Sequence, residues 1–323
     1  MSTTTANTEA LRRSEVWSSQ LKETIQETLL GGQKWVRWLS EFPDGDQFTM
    51  PSIGEATVRD YTENTPVTFD SLDTGEFTFT IGEYISSGHY ITNKAKQDMY
   101  YMNELVSKFV PYQARAIEEK VETDIFALAA GGASGGQTAS STNSINGAAH
   151  RWIGSGTSES MSVEDFARAA YALRKAHVPD MNRIAIVDPS VGYTLDTMTN
   201  IVNVSNNPRW EGIIESGLAS GFRFVRNIYG FDVYTTDFLP KSQNETINAG
   251  TSRTTTAGVA NIFFSATADI LPFMGAWRQM PTVEGGYNYS LQREEFVTTA
   301  RYGLKVWRPE NLVVVLTDTD IIA

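Results

Sequence analysis

The stretch NKAKQDMYYMNELVSKFVPYQARAIEEKVETDIFAL, residues 93–128, decides how the rest of the chain is read. Its apolar side chains fall at Met99, Met102, Val106, Phe109, Ala116, Ile117, Val121, Ile125 and Leu128. Steps of three and four place them on one stripe of a helix that faces a core. Lys96, Asp98, Lys108, Arg115, Glu118, Glu119 and Glu122 fall mostly off that stripe. As one helix the stretch runs roughly 50 Å at 1.5 Å per residue. A compact chain of this length has a radius of gyration of about 20 Å, so the helix crosses the subunit. Pro111 removes one hydrogen bond of the helical ladder and predicts a kink or a break. The pattern leaves two readings, two helices joined at Val110 and Pro111 or a single spine.

Before this stretch, residues 41–92 change character. Phe77, Phe79 and Ile81 alternate with Thr78, Thr80 and Gly82, the period of a strand. Phe48 with Met50, and Ala56 with Val58, alternate more weakly. Turn formers at 43–45, 64–66 and 73–75 punctuate the region. These features predict one long β-hairpin or two. Residues 41–93 carry ten acids and one base, Arg59, a net −9 of the chain's −12. The ordinary use of such a run is a solvated face; the alternative is an arm lying on a more basic neighbouring surface.

The first 40 residues read as a polar tail and a short amphipathic segment, with Leu21, Ile25, Thr28 and Leu29 on one stripe and Gly31 and Gly32 ending it. Trp35 and Trp38 follow closely. They fit either a local core cluster or an arm docked on another molecule.

After the helix, residues 131–150 are rich in Gly, Ser, Ala and Asn and read as a loop. Ser162 with Asp165 opens a helix whose stripe is Phe166, Ala169, Ala170 and Leu173. Residues 183–188, RIAIVD, predict a buried strand stopped by Pro189, then a short helix through Tyr193, Leu195 and Met198. Residues 222–225 and 231–234 bracket a turn at Tyr229 and Gly230. This order describes an α/β unit. Residues 241–257 read as a polar loop. The clearest late strands are 261–264, 295–306 and 312–316, a region that carries Arg278, Arg293, Arg301 and Arg308.

The 323 residues suffice for one large or two medium domains. No apolar run approaches the ~18 residues of a membrane span, and the first residues, MSTTTANTEA, do not resemble a signal peptide. The chain has no cysteine, which excludes disulfides and thiolate metal sites and fits a reducing compartment. The acidic balance argues against a free-standing nucleic-acid binder, though not against a wall that encloses nucleic acid. His89, His150 and His177 have no metal-ligand spacing, and no phosphate loop or calcium loop occurs. Residues 132–136, GASGG, match the nucleophile-elbow pattern around Ser134 but follow a helix where that motif needs a strand. Glu294 and Glu295 would point to opposite faces of a strand, so they are no acid/base pair. Nothing in the sequence names a reaction, a metal or a cofactor.

The order of parts resembles the major capsid proteins of tailed bacteriophages, the Hong Kong 97-type capsid fold. The resemblance rests on residues 57–72 (TVRDYTENTPVTFDSL), 183–189 (RIAIVDP), 229–240 (YGFDVYTTDFLP) and 300–309 (ARYGLKVWRP). It implies an α+β fold with an N-terminal arm (1–40), an extended β-hairpin loop (41–92) and a peripheral domain carrying the spine helix (93–160). An α/β axial domain (161–280) and returning peripheral strands (281–323) complete it. It further implies a non-enzymatic shell protein in the virion, assembled in the host cytoplasm as hexamers and pentamers around double-stranded DNA. A portal and a decoration protein would be further partners. Arg59, Asp60, Glu63 and Asp70 of the hairpin, Trp35 and Trp38 of the arm, and Arg278, Arg293 and Arg301 are then candidate contacts between subunits. Some members of this family crosslink a hairpin lysine to a neighbour; residues 41–93 contain none. Only a short polar tail precedes Val16, so scaffolding is expected from a separate protein. An encapsulin-like compartment, and an acidic α/β hydrolase or glycan-binding protein, remain alternatives at this level.

Overall fold

The structure, a computed structural model, describes residues 29–39, 47–53, 58–67, 74–98, 102–197, 224–249 and 251–318. The predicted stripe of Leu21, Ile25 and Thr28, the acids Glu41, Asp44, Asp46, Glu55, Asp70 and Asp73, and Met198 lie outside them.

The deciding stretch forms helices α1 (Asn93–Asp98) and α2 (Met102–Ala127). Helix α2 is continuous through Pro111 and is about 39 Å long at 1.5 Å per residue. The reading of two helices joined at Val110 and Pro111 is therefore replaced by one spine. Pro111 is exposed, so solvent is at hand for the carbonyl it leaves without a donor. Ile117, Val121, Ile125 and Leu128 are buried as the periodicity predicts. Two positions differ. Ala116 is exposed, and Glu122, placed off the stripe, is buried.

The spine lies on a four-stranded sheet ordered β1-β12-β13-β4, built from β1 (Val36–Leu39), β4 (Glu83–Thr92), β12 (Phe273–Asn288) and β13 (Arg293–Val306). Ile117, Val121 and Ile125 share one core with Phe273, Ala300 and Tyr302. The Tyr302 hydroxyl donates to Asp124 of α2 at 2.6 Å. Long β12 has no counterpart in the strands expected from sequence.

A six-stranded sheet stands beside it, ordered β5-β14-β11-β6-β8-β7. Its strands are β5 (Arg151–Ile153), β6 (Arg183–Val187), β7 (Phe224–Ile228), β8 (Phe231–Thr235), β11 (Gly258–Ser265) and β14 (Val313–Asp318). Strand β6 is apolar at successive positions because both faces are covered. Ala185 and Val187 meet Phe166, Leu173, Val191 and Leu195 of α3 (Val163–Lys175) and α4 (Pro189–Thr197). Ile186 faces the spine core. Asp165 is buried at the start of α3 and accepts from Ser162 N–H at 2.9 Å, Ser155 N–H at 2.9 Å and Trp152 Nε1 at 3.0 Å. Pro189 sits in the first turn of α4, where its missing N–H is no loss. Tyr229 and Gly230, with φ of 48° and 82°, form the two-residue turn between β7 and β8 that left-handed backbone permits.

Residues 241–257, expected as a loop, contain the hairpin β9 (Thr246–Ala249) and β10 (Thr251–Thr254). It is ordered by burial of Ile247 and of Glu245, which pairs with Arg151 on β5. The final pair, β2 (Gln47–Ile53) and β3 (Thr74–Thr80), is an antiparallel hairpin set apart from both larger sheets. Thr74 and Gly75, expected in a turn, open β3.

Candidate assembly interface

The hairpin of β2 and β3 has a buried base and an exposed end. At the base, Phe79 and Ile81 sink into a small core with Met274 and Ala276, with Leu39 and Trp307 against it. The Lys305 ammonium donates to the Thr78 carbonyl at 2.7 Å and lies 4.6 Å from the Phe77 ring centre. Gly303 admits this close approach: a Cβ there would stand 2.7 Å from the Thr80 carbonyl oxygen and 2.9 Å from Ile81 Cα. The far end carries residues 58–67, exposed throughout, including Arg59, Asp60 and Glu63. A turn closed by Thr65 N–H donating to the Thr62 carbonyl at 3.2 Å, with Asn64 at positive φ, shapes it. Val58 is 96% exposed and Tyr61 69%. Apolar side chains held so far from any core contribute nothing to this chain's own stability.

The arm enters over the spine. Buried Glu122 accepts from the backbone N–H groups of Leu30, Gly31 and Gly32 at 2.8, 3.0 and 3.2 Å. Gly31 has φ of 76°, and a Cβ on Gly32 would touch the Phe126 ring at 3.3 Å. One carboxylate thus gathers three donors that have no helix or strand to satisfy them. Reading the helix stripe alone missed this residue, and its only signal was an acid one step from Val121.

Trp35 and Trp38 are engaged within the chain. Trp35 meets Phe264 edge-on at 5.6 Å, and Trp38 stacks on Trp277 at 5.1 Å. Both pack against the spine core and stay partly buried. Among the arginines, Arg293 donates to Glu295 at 2.6 Å and lies 4.4 Å from the Tyr90 ring centre. Arg301 pairs in register with Tyr84, and Arg278 sits at a bulge of β12. Arg293 and Arg301 are eight residues apart on one strand, roughly 27 Å, so they share a sheet without forming one cluster. Glu294 and Glu295 point apart, the first to Lys96 and the second to Arg293.

Catalytic geometry is not assembled among the described residues. Ser134 follows the end of α2 in a run of turns, without the strand its motif requires. No three His, Cys, Asp or Glu side chains gather as a metal site there, and no helix is long and apolar enough to cross a membrane. An open pocket of about 320 Å³, lined by Gln137, Asn143, Ser144, Val306 and Pro309 among others, has no acid or base in its wall.

A separate feature joins the arm to the end of β13. Two guanidinium groups lie over the Trp307 ring, Arg37 at 4.4 Å and Arg308 at 4.5 Å from its centre. Both arginines are exposed.

The profile of the phage capsid protein family matches residues 57–315, and the chain belongs to that family. It is a structural protein of the virion's capsid, not an enzyme. Solved structures agree on the fold. The capsid structure of the cyanophage P-SCSP1u superposes with a TM-score of 0.71 at 14% identity, covering 98% of this chain and 95% of that one. A structure from Mycobacterium phage Che8 gives 0.65 at 16% identity, over 93% and 96%. The mature capsid of bacteriophage PhiM1 gives 0.63 at 10% identity, over 99% and 100%. At these identities the likeness establishes the Hong Kong 97-type α+β architecture. No curated protein sequence matches the chain.

Proposed function

We propose that this chain is the major capsid protein of a tailed bacteriophage, forming hexamers and pentamers that close into an icosahedral head around double-stranded DNA. Assembly takes place in the host cytoplasm, on a scaffold supplied by a separate protein. A portal occupies one vertex, and a decoration protein is a possible outer partner. The observation that carries the reading is the family match across residues 57–315 on a chain whose hairpin end, residues 58–67, is exposed throughout. Such an exposed end finds its partners in a lattice, where it overlaps the adjacent subunit.

In this reading the six-stranded sheet with α3 and α4 is the axial domain around the capsomer centre, widened from the expected 161–280 because β5 (Arg151–Ile153) and β14 (Val313–Asp318) pair into that sheet. The spine with the four-stranded sheet is the peripheral domain, and β2 with β3 is the extended loop. Arg59, Asp60, Glu63 and Asp70 act from the loop, and Arg278, Arg293 and Arg301 from the four-stranded sheet. The wall encloses DNA without reading its sequence, consistent with a net charge of −12.

Negative-stain electron microscopy with sedimentation velocity on the expressed chain, repeated across salt, tests this. Closed shells, tubes or capsomers that loosen at high salt are expected. A chain that stays a compact monomer, alone and with its scaffold co-expressed, would overturn the reading. Shells that package protein and exclude DNA would point to a compartment instead.

A further inference from the structure

We propose that the cluster of Arg37, Trp307 and Arg308 is the docking surface for the hairpin end of a second copy of this chain, with Asp60 and Glu63 as its anionic partners. This rests on the shell reading and adds the surface that receives the loop.

Three observations carry it. First, the cations are preset. Cation–π contact with Trp307 restrains both guanidinium groups, which stay exposed to solvent. Second, the charges on both sides are unspent. Among the described residues, Arg37 and Arg308 pair with no carboxylate, and Asp60 and Glu63 pair with no cation. Third, the hairpin ladder leads away from the Trp307 end. Trp307 lies against the base, with Phe79 and Ile81. The ladder from Gln47 opposite Thr80 to Ile53 opposite Thr74 extends away from it, about 20 Å for six steps of 3.4 Å. The acids at the far end therefore meet such a cradle on another subunit. Exposed Val58 and Tyr61 beside Asp60 supply apolar surface for the Trp307 edge.

The chain has no cysteine, so a pair of introduced thiols reports cleanly. Asp60→Cys and Arg308→Cys variants are co-assembled and treated with a short bis-maleimide. A denaturing gel is expected to show dimers from the mixture and only monomers from either variant alone. Intact particles without dimers would overturn the inference and leave the shell reading standing. A parent chain that forms no particle under any condition would overturn the shell reading, and this inference with it. A second arm reverses charge. Arg37→Glu with Arg308→Glu is expected to abolish sedimenting particles, and adding Asp60→Arg with Glu63→Arg to restore them. Wild-type assembly by the first double variant would also overturn the proposal.

Discussion

Arg151 and Glu245, 94 residues apart in sequence, meet in a buried bidentate ion pair, Nη2 to Oε1 at 2.6 Å and Nε to Oε2 at 3.0 Å. Arg151 Nη1 donates to the Ala129 carbonyl just past the end of α2 at 2.8 Å and to Gln137 Oε1 at 3.3 Å, so one guanidinium ties spine, β5 and the segment before β9 together. Glu245→Gln leaves a buried cation without its counter-charge, a loss of about 3–5 kcal/mol. Arg151→Met with Glu245→Leu removes both charges and is expected to lose less. Urea unfolding of the unassembled subunit checks the order. Equal losses would show that packing, not charge, matters at this site.

Acid is expected to weaken the subunit in two steps. Burial pushes the His150 ring below its ordinary 6.5, against the opposing pull of the Ala148 and Glu310 backbone groups and the Glu310 charge. The unfolded ring takes a proton that the folded ring resists, so this contribution is complete above pH 6.5 and declines as pH falls below it. Glu245 behaves differently. Burial opposes its charge, but hydrogen bonds from Arg151 and Ser140 and the Arg151 charge together hold it below the ordinary 4.5. Its contribution is complete above pH 4.5 and is lost as pH falls through the lower folded value. Stability measured from pH 8 to pH 3 should lose its upper slope in His150→Gln and its lower slope in Glu245→Gln.

Glu122→Ala removes the acceptor for three backbone donors of the arm. Each lost charge-assisted bond costs about 1.5–3 kcal/mol in a buried setting, and solvent entering the gap recovers part of it. Limited proteolysis should cut near residues 29–32 faster than in the parent, with the six-stranded sheet intact by hydrogen exchange. An unchanged cleavage rate would mean the arm is held by other contacts.

Gly303→Ala places a methyl 2.7 Å from the Thr80 carbonyl oxygen, which is backbone and has little room to yield. A loss of about 1–3 kcal/mol follows from overpacking. The hairpin should leave its base before the rest of the fold melts. Quenching of Trp307, beside that base, reads the displacement.

Mature particles are expected to dissolve to single subunits in hot detergent, because residues 41–93 contain no lysine to form a crosslink from the hairpin. A ladder of detergent-resistant multimers on a gel would contradict this.

Elements held by one local pattern were legible in the sequence. Strand β6 showed as the apolar run Ile184 to Val187 shortly before Pro189, and α3 as a stripe behind Ser162 and Asp165. The spine was legible as a helix, though its continuous part is Met102–Ala127 and not the whole of 93–128, while the effect of Pro111 depended on which side faced solvent. Strand β12 was not legible. Pro281, Gly285 and Gly286 interrupt its pattern, and it is held by β1 and β13 instead of by its own residues. The hairpin of β9 and β10 reads as polar because its order comes from Ile247 and from Glu245, whose partner is distant. The same holds for the assembly surface. Single arginines could be named from sequence, but the stack of Arg37 and Arg308 on Trp307 joins residues about 270 positions apart through tertiary structure.

The position of β14 bears on synthesis. Residues 313–318 insert between β5 and β11, deep in the six-stranded sheet, with Val313, Val314, Val315 and Leu316 fully buried. Until those residues leave the ribosome, β5 and β11 have no strand between them, and the halves of the sheet stay unjoined. Pairings this remote form late. A chain broken off before residue 313 is therefore expected to leave that sheet unjoined and open to proteolysis. The fold inspects each subunit for completeness before a growing shell can take it up.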